Sequence, residues 1–255
     1  MIKRIFFFIF LLILVGSFFT VNAKNSDIPE KDGTYNDPDY PGVKVRVFVH
    51  RIKSEKGKPT PPNPLICQLS DPESSGQVAA EKWLLPIQWT YNLNFDSVPS
   101  TVGKDNLTTM AKNDFERWSQ ASGNRVIFTK GNNSTVNRQS LDYQNVIAWG
   151  RTSGTALAVT YVRYYPDNNL VVDVDTIMNN KFPWSWSNSM TCAYQNSYDA
   201  ENILTHELGH WIGLDDMYEL SYQDATMYGY GSKMEVKKTT LTDGDKIGAY
   251  TIYNQ

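Results

Sequence analysis

Histidine and cysteine, the residues that most often hold metals or do covalent chemistry, are scarce here: three histidines and two cysteines in 255 residues. Two cysteines exclude a disulfide-stapled scaffold and any cysteine-rich zinc module. Positive charge is not in excess either. The net charge is −3, no basic stripe is present, and nucleic acid is therefore not expected as a partner. After residue 23 no apolar run is long enough to suit a bilayer span, so no stable membrane insertion is expected of the remainder. Disorder-prone composition is absent too: 41% hydrophobic and 13% aromatic residues suffice for a sizeable core. This composition leaves a monomeric globular domain as the expectation.

The N-terminus combines Lys3 and Arg4 with an apolar run to Val15, and Val21-Asn-Ala23 supplies short side chains for cleavage. Residues 1–23 read as a secretory signal peptide, with an uncleaved membrane anchor as the alternative. The protein is thus expected to be secreted, and a cell-surface association stays open. In an exported chain, Cys67 and Cys192 are candidates for a disulfide bond.

Residues 24–82 are compositionally uneven. Asp39-Tyr-Pro-Gly42 and Pro59-Thr-Pro-Pro-Asn-Pro64 signal turns and extended chain, and between them Val43 to Val49 alternates as a strand does. The segment reads as a propeptide or an N-terminal extension. His50, alone at the strand end, reads as a surface residue. The main domain is placed at 83–255. Within it, Ile87–Leu93, Asn145–Trp149, Ala156–Val162 and Val171–Asp175 read as strands. Leu107, Met110, Ala111, Phe115 and Trp118 fall on one face at helical spacing, as core residues would.

The other two histidines share one motif, His206-Glu-Leu-Gly-His210-Trp-Ile-Gly213-Leu-Asp-Asp216, with Met227 eleven residues further on. Histidines four apart on a helix project from one face and can reach one metal ion. Gly213 is placed to end the helix in the left-handed conformation, so that the chain can double back and offer Asp216 as a third ligand. Three protein ligands and one open position is the layout of a catalytic zinc site. Glu207 stands next to that open position, where a general base would act.

These residues resemble the metzincin zinc metalloproteases, and the flanking segments are similar to matrixin-like members of the prokaryotic type. The resemblance covers about Trp83 to Tyr253 and makes Val126–Phe128 a strand. It implies an α+β fold: a twisted, mixed five-stranded sheet with an active-site helix, a methionine turn at Met227 and a C-terminal helix in which Asp245 braces that turn. It implies catalytic zinc on His206, His210 and Asp216. Most of the clan has histidine at the last position, and the snapalysin-like members have aspartate. Leu157 and Ala158 match a Leu-Ala pair on the sheet edge above the cleft, to which an extended peptide substrate would add through backbone hydrogen bonds. Calcium is a possibility at Asp173 or Asp175, while the histidines needed for a second, structural zinc are missing. The clan also suggests a rival role for Cys67, capping the zinc in a latent precursor. Gly229 stands where these proteins commonly have proline.

The implied function is a secreted zinc-dependent endopeptidase acting on protein or peptide substrates, with Glu207 as general base. Two alternatives remain at this point. One is a gluzincin-type protease with a later glutamate ligand, for which Glu235 is the nearest candidate. The other is a non-catalytic, zinc-containing binding module.

Overall fold

The computed structural model describes residues 28–53, 83–187 and 196–254. The signal segment 1–23 lies outside these residues, as do Cys67 and Cys192 with their expected disulfide. The N-terminal segment forms β1 (Gly33–Asn36) and β2 (Lys44–Ile52), followed in the main domain by β3 (Gln88–Leu93), α1 (Lys104–Ala121) and β4 (Ile127–Asn133). Then come β5 (Val146–Gly150), β6 (Ala156–Tyr165), β7 (Leu170–Asn179) and the two short strands β8 (Trp184–Ser185) and β9 (Tyr198–Asp199). Helix α2 (Ala200–Ile212), β10 (Tyr230–Gly231) and α3 (Asp243–Tyr253) complete the chain.

The five expected strands lie side by side in the order β6-β7-β5-β3-β4. The pairs among β7, β5, β3 and β4 are parallel, whereas β6 runs antiparallel to β7, so the sheet is mixed as foreseen. It is also larger than foreseen. β2 pairs antiparallel with β6, β1 pairs antiparallel with β2, and β10 pairs parallel with β2, giving eight strands. The alternating Val43–Val49 run explains this: Val45, Val47 and Val49 are fully buried in a second, smaller core with Val159 and Tyr161.

The helices cover the other face. The five residues placed on one side of α1 are all buried, and the Trp118 indole donates to the Thr205 carbonyl at 2.9 Å, tying α1 to α2. Asp199 caps α2 by accepting from the Asn202 amide, satisfying one of the donors a helix start leaves unpaired. At the other end Gly213 sits at φ 113°, which an L side chain rarely tolerates, and the helix stops there. α3 opens with a capping box between Thr242 and Asp245.

A buried charge cluster fastens the N-terminal hairpin to the domain. Arg163 of β6 bonds Asp37 at 3.0 Å and faces Asp173 and Asp175 at 3.5 Å each. The two aspartates named as calcium candidates are therefore already engaged. Asp175 accepts from the backbone of Ser140 and Val146, and Asp173 from that of Tyr143, with a guanidinium as their cation. Burial pushes the Asp175 carboxyl up to about 6 against the pull of Arg163.

Candidate metal centre

Helix α2 presents His206 and His210 toward the loop that follows it. The ring nitrogens facing away from the centre are both tied down: His206 Nδ1 to the Thr226 carbonyl at 2.7 Å and His210 Nδ1 to the Leu214 carbonyl at 2.9 Å. A carbonyl can only accept, so each Nδ1 carries the proton and each Nε2 keeps its lone pair free. After the turn at Gly213, Asp216 brings Oδ1 to 3.1 Å from His206 Nε2 and 3.6 Å from His210 Nε2. These three atoms are buried and have no hydrogen-bond partner among the described residues. Three orphaned electron-pair donors converging on one point are costly without a ligand, and they suit a divalent cation of zinc's preferences. Burial holds His206 well below the usual histidine range and His210 down to about 3, so both rings are neutral, the form that binds a metal.

Around the three donors the packing is tight. Met227 is fully buried under α2, and a Cβ on Gly209 would lie 2.3 Å from its sulfur and 2.9 Å from a Trp118 ring carbon. Glycine between the two histidines is what lets the methionine turn approach. Asp245 accepts from the Thr226 amide at 3.3 Å, one residue from Met227, and so holds that turn from α3. The remaining Asp216 oxygen takes a 3.1 Å hydrogen bond from Tyr218. A Cβ on Gly229 would come within 2.5 Å of the Tyr218 ring and 3.0 Å of Asp216, and the Gly229 amide donates to the Met217 carbonyl. Proline there would fail on both counts, which accounts for the glycine.

Glu207 is held between two side chains, neither of them a neighbour in sequence. Its Oε2 accepts from Thr160 at 2.6 Å, and its Oε1 lies 3.1 Å from His50 Nδ1. The Trp211 indole donates to Thr176, whose hydroxyl meets that of Thr160, so a relay of hydrogen bonds orients this carboxylate. Burial raises its pKa well above the ordinary carboxylate range.

His50 is not a surface residue. It is fully buried at the centre, its ring 3.9 Å from that of His206, because β2 is added to the sheet directly beside the metal donors. Its scarcity was the only signal in the sequence, since nothing local marks a strand-end histidine as a site residue. Lys238, also fully buried, bonds the Tyr228 and Tyr230 carbonyls and reaches His50 Nε2 at 3.2 Å. Neither Lys238 nor Thr160 carried any motif.

Two further expectations meet a different arrangement. Leu157 and Ala158 lie in β6 as foreseen, but the side of β6 read as an open edge is paired with β2. Glu235, the alternative third ligand, accepts from the Ser232 amide and lies 3.8 Å from Lys238. Among the described residues two clusters could hold a metal, His206-His210-Asp216 and His50-His206-Glu207, and Glu235 is in neither.

Compared with known proteins, the chain matches the family model of the matrixins, a peptidase family, over residues 82–254. No individual curated protein matches it.

Proposed function

The chain belongs to the matrixin family of zinc-dependent endopeptidases, and from that premise we propose that it is a secreted enzyme cutting peptide bonds at the centre formed by His206, His210, Asp216 and Glu207. The observation that carries this reading is the convergence of His206 Nε2, His210 Nε2 and Asp216 Oδ1, buried and without hydrogen-bond partners among the described residues. These three would hold the metal. When bound, zinc supplies Lewis-acid polarisation of the scissile carbonyl and makes water reactive near neutral pH.

The remaining work falls to the protein. The Thr226 and Leu214 carbonyls fix the histidine tautomers, and Tyr218 orients Asp216. Glu207 takes the proton of the attacking water and passes it to the departing amine, a role that suits a carboxyl whose pKa burial raises. Secretion rests on the N-terminal segment, with Lys3, Arg4, the apolar run and Ala23. Among the described residues no helix is long and apolar enough to cross a membrane.

Unfolded casein is the substrate for the test. As the substrate displaces β2 from beside the metal donors, the zinc-loaded chain should hydrolyse it, lose that activity to a zinc chelator and regain it when zinc is restored. Hydrolysis that persists in the chelated, zinc-free chain would contradict the proposal.

A further inference from the structure

Strand β2 makes two sets of backbone contacts that an extended peptide would make. Along one side it runs antiparallel to β6, from Lys44 opposite Tyr164 to Arg51 opposite Ala156. Along the other, Tyr230 and Gly231 of β10 pair with it in parallel, and the Arg51 and Lys53 amides donate to the Gly229 and Gly231 carbonyls at 3.3 and 2.9 Å. Residues 50–52 are therefore gripped from both sides in a slot beside the metal donors. The side chains on one face of β2 point at those donors. Phe48 stacks on the His210 ring at 3.8 Å and 6°, and His50 lies on His206 and bonds Glu207.

The pocket that receives His50 has a specific chemistry. A lysine ammonium has three donors and no acceptor. Two of the Lys238 donors go to the Tyr228 and Tyr230 carbonyls at 2.5 and 2.8 Å, and the third meets His50 Nε2 at 3.2 Å. With the ammonium on its Nε2 side, the His50 ring turns Nδ1 toward Glu207 Oε1 at 3.1 Å. Lys238 is fully buried beneath His50. Glu235 Oε1, 3.8 Å away, lies beyond hydrogen-bonding distance.

We propose that β2 occupies this chain's own substrate groove as a bound peptide would, and that Lys238 beneath His50 selects the substrate side chain placed there for a hydrogen-bond acceptor. This rests on the peptidase reading and adds to it the specificity. A substrate runs antiparallel to β6 and parallel to Tyr230-Gly231, and it puts glutamine, asparagine, histidine or an acid into the pocket. An aliphatic side chain would leave a buried ammonium donor unpaired, which costs more than its own burial returns at one position.

The test uses the full zinc-loaded chain carrying His50→Ala, which empties the pocket. The probes are fluorescent nonapeptides with the β2 sequence, Lys-Val-Arg-Val-Phe-Val-X-Arg-Ile, where X is glutamine or leucine. Fluorescence anisotropy gives affinity, and hydrogen exchange of residues 44–52 shows whether the probe displaces the strand. The glutamine peptide should bind at least about tenfold tighter than the leucine peptide. Its binding should speed exchange in 44–52 while leaving β7 unchanged, and adding Lys238→Met should abolish or reverse the preference. Equal affinities, or tighter binding of leucine, would overturn the proposal, as would binding with no change in exchange at 44–52. If the Lys238→Met chain does not fold, the comparison of the two peptides on His50→Ala alone decides. Bound but uncut peptide would sink the peptidase reading and leave the groove assignment standing.

Discussion

Replacing Glu207 by glutamine should lower the rate of peptide hydrolysis by at least about a hundredfold, and by up to ~10⁴-fold, while leaving the zinc content at wild-type level. The amide is the same size and can keep the hydrogen bond from Thr160, so the relay from Trp211 through Thr176 and Thr160 survives. What it cannot do is take a proton. Because neither Glu207 oxygen is among the three orphaned donors of the His206-His210-Asp216 cluster, metal binding should be indifferent to the change. Rates on casein together with zinc per chain check both halves. A rate within threefold of wild type would remove Glu207 from the chemistry. A parallel loss of zinc would make it a ligand, as its membership of the second cluster with His50 allows.

Arg163→Ala should destabilise the folded chain by about 3–5 kcal/mol, lowering Tm by roughly 10 °C or more. The guanidinium is 1% exposed and is the cation for Asp37, Asp173 and Asp175. Removing it strands buried carboxylates, which is far costlier than losing a surface pair. The loss should depend on pH in a definite sense. Burial already lifts Asp175 from 3.8 to about 6 and Asp173 well above its ordinary value, and losing Arg163 raises both further. A carboxyl raised on folding holds its proton longer in the folded chain, so its contribution is favourable at low pH and is lost as pH rises through the folded value. The variant should therefore lie closest to wild type near pH 4 and fall further behind by pH 7. Thermal melts of both chains between these limits measure the gap. A gap that is constant or narrows with pH would mean that the buried aspartates are not what Arg163 holds in place.

The candidate metal centre was legible because its pattern is local. The motif around His206 prescribes a helix, a glycine stop and a returning ligand within eleven residues, and Gly213 and Asp216 lie where that logic puts them. α1 and β3 could be read from periodicity, since each buries one face, whereas β5, β6 and β7 are buried on both faces and show as short apolar runs. What could not be read was long-range. The alternation of Val43–Val49 announces a strand but does not name its partner, and the pairing with β6 carries His50 across more than 150 positions to Glu207. Arg163 is similar: an arginine amid tyrosines in a strand gives no hint of three aspartates from two other segments. Gly229 was visible as a departure from the family pattern, and its reason, the close approach of Tyr218 and Asp216, exists only in three dimensions.

The metal centre turns on the identity of its third donor. Its most direct test is the zinc content of the full-length chain and of two single variants, Asp216→Ala and Glu235→Ala, each purified and dialysed against the same zinc-buffered solution. Wild type and Glu235→Ala should each retain one zinc per chain, and Asp216→Ala should retain clearly less. The opposite pattern, with zinc lost from Glu235→Ala and kept by Asp216→Ala, would contradict the metal centre described here.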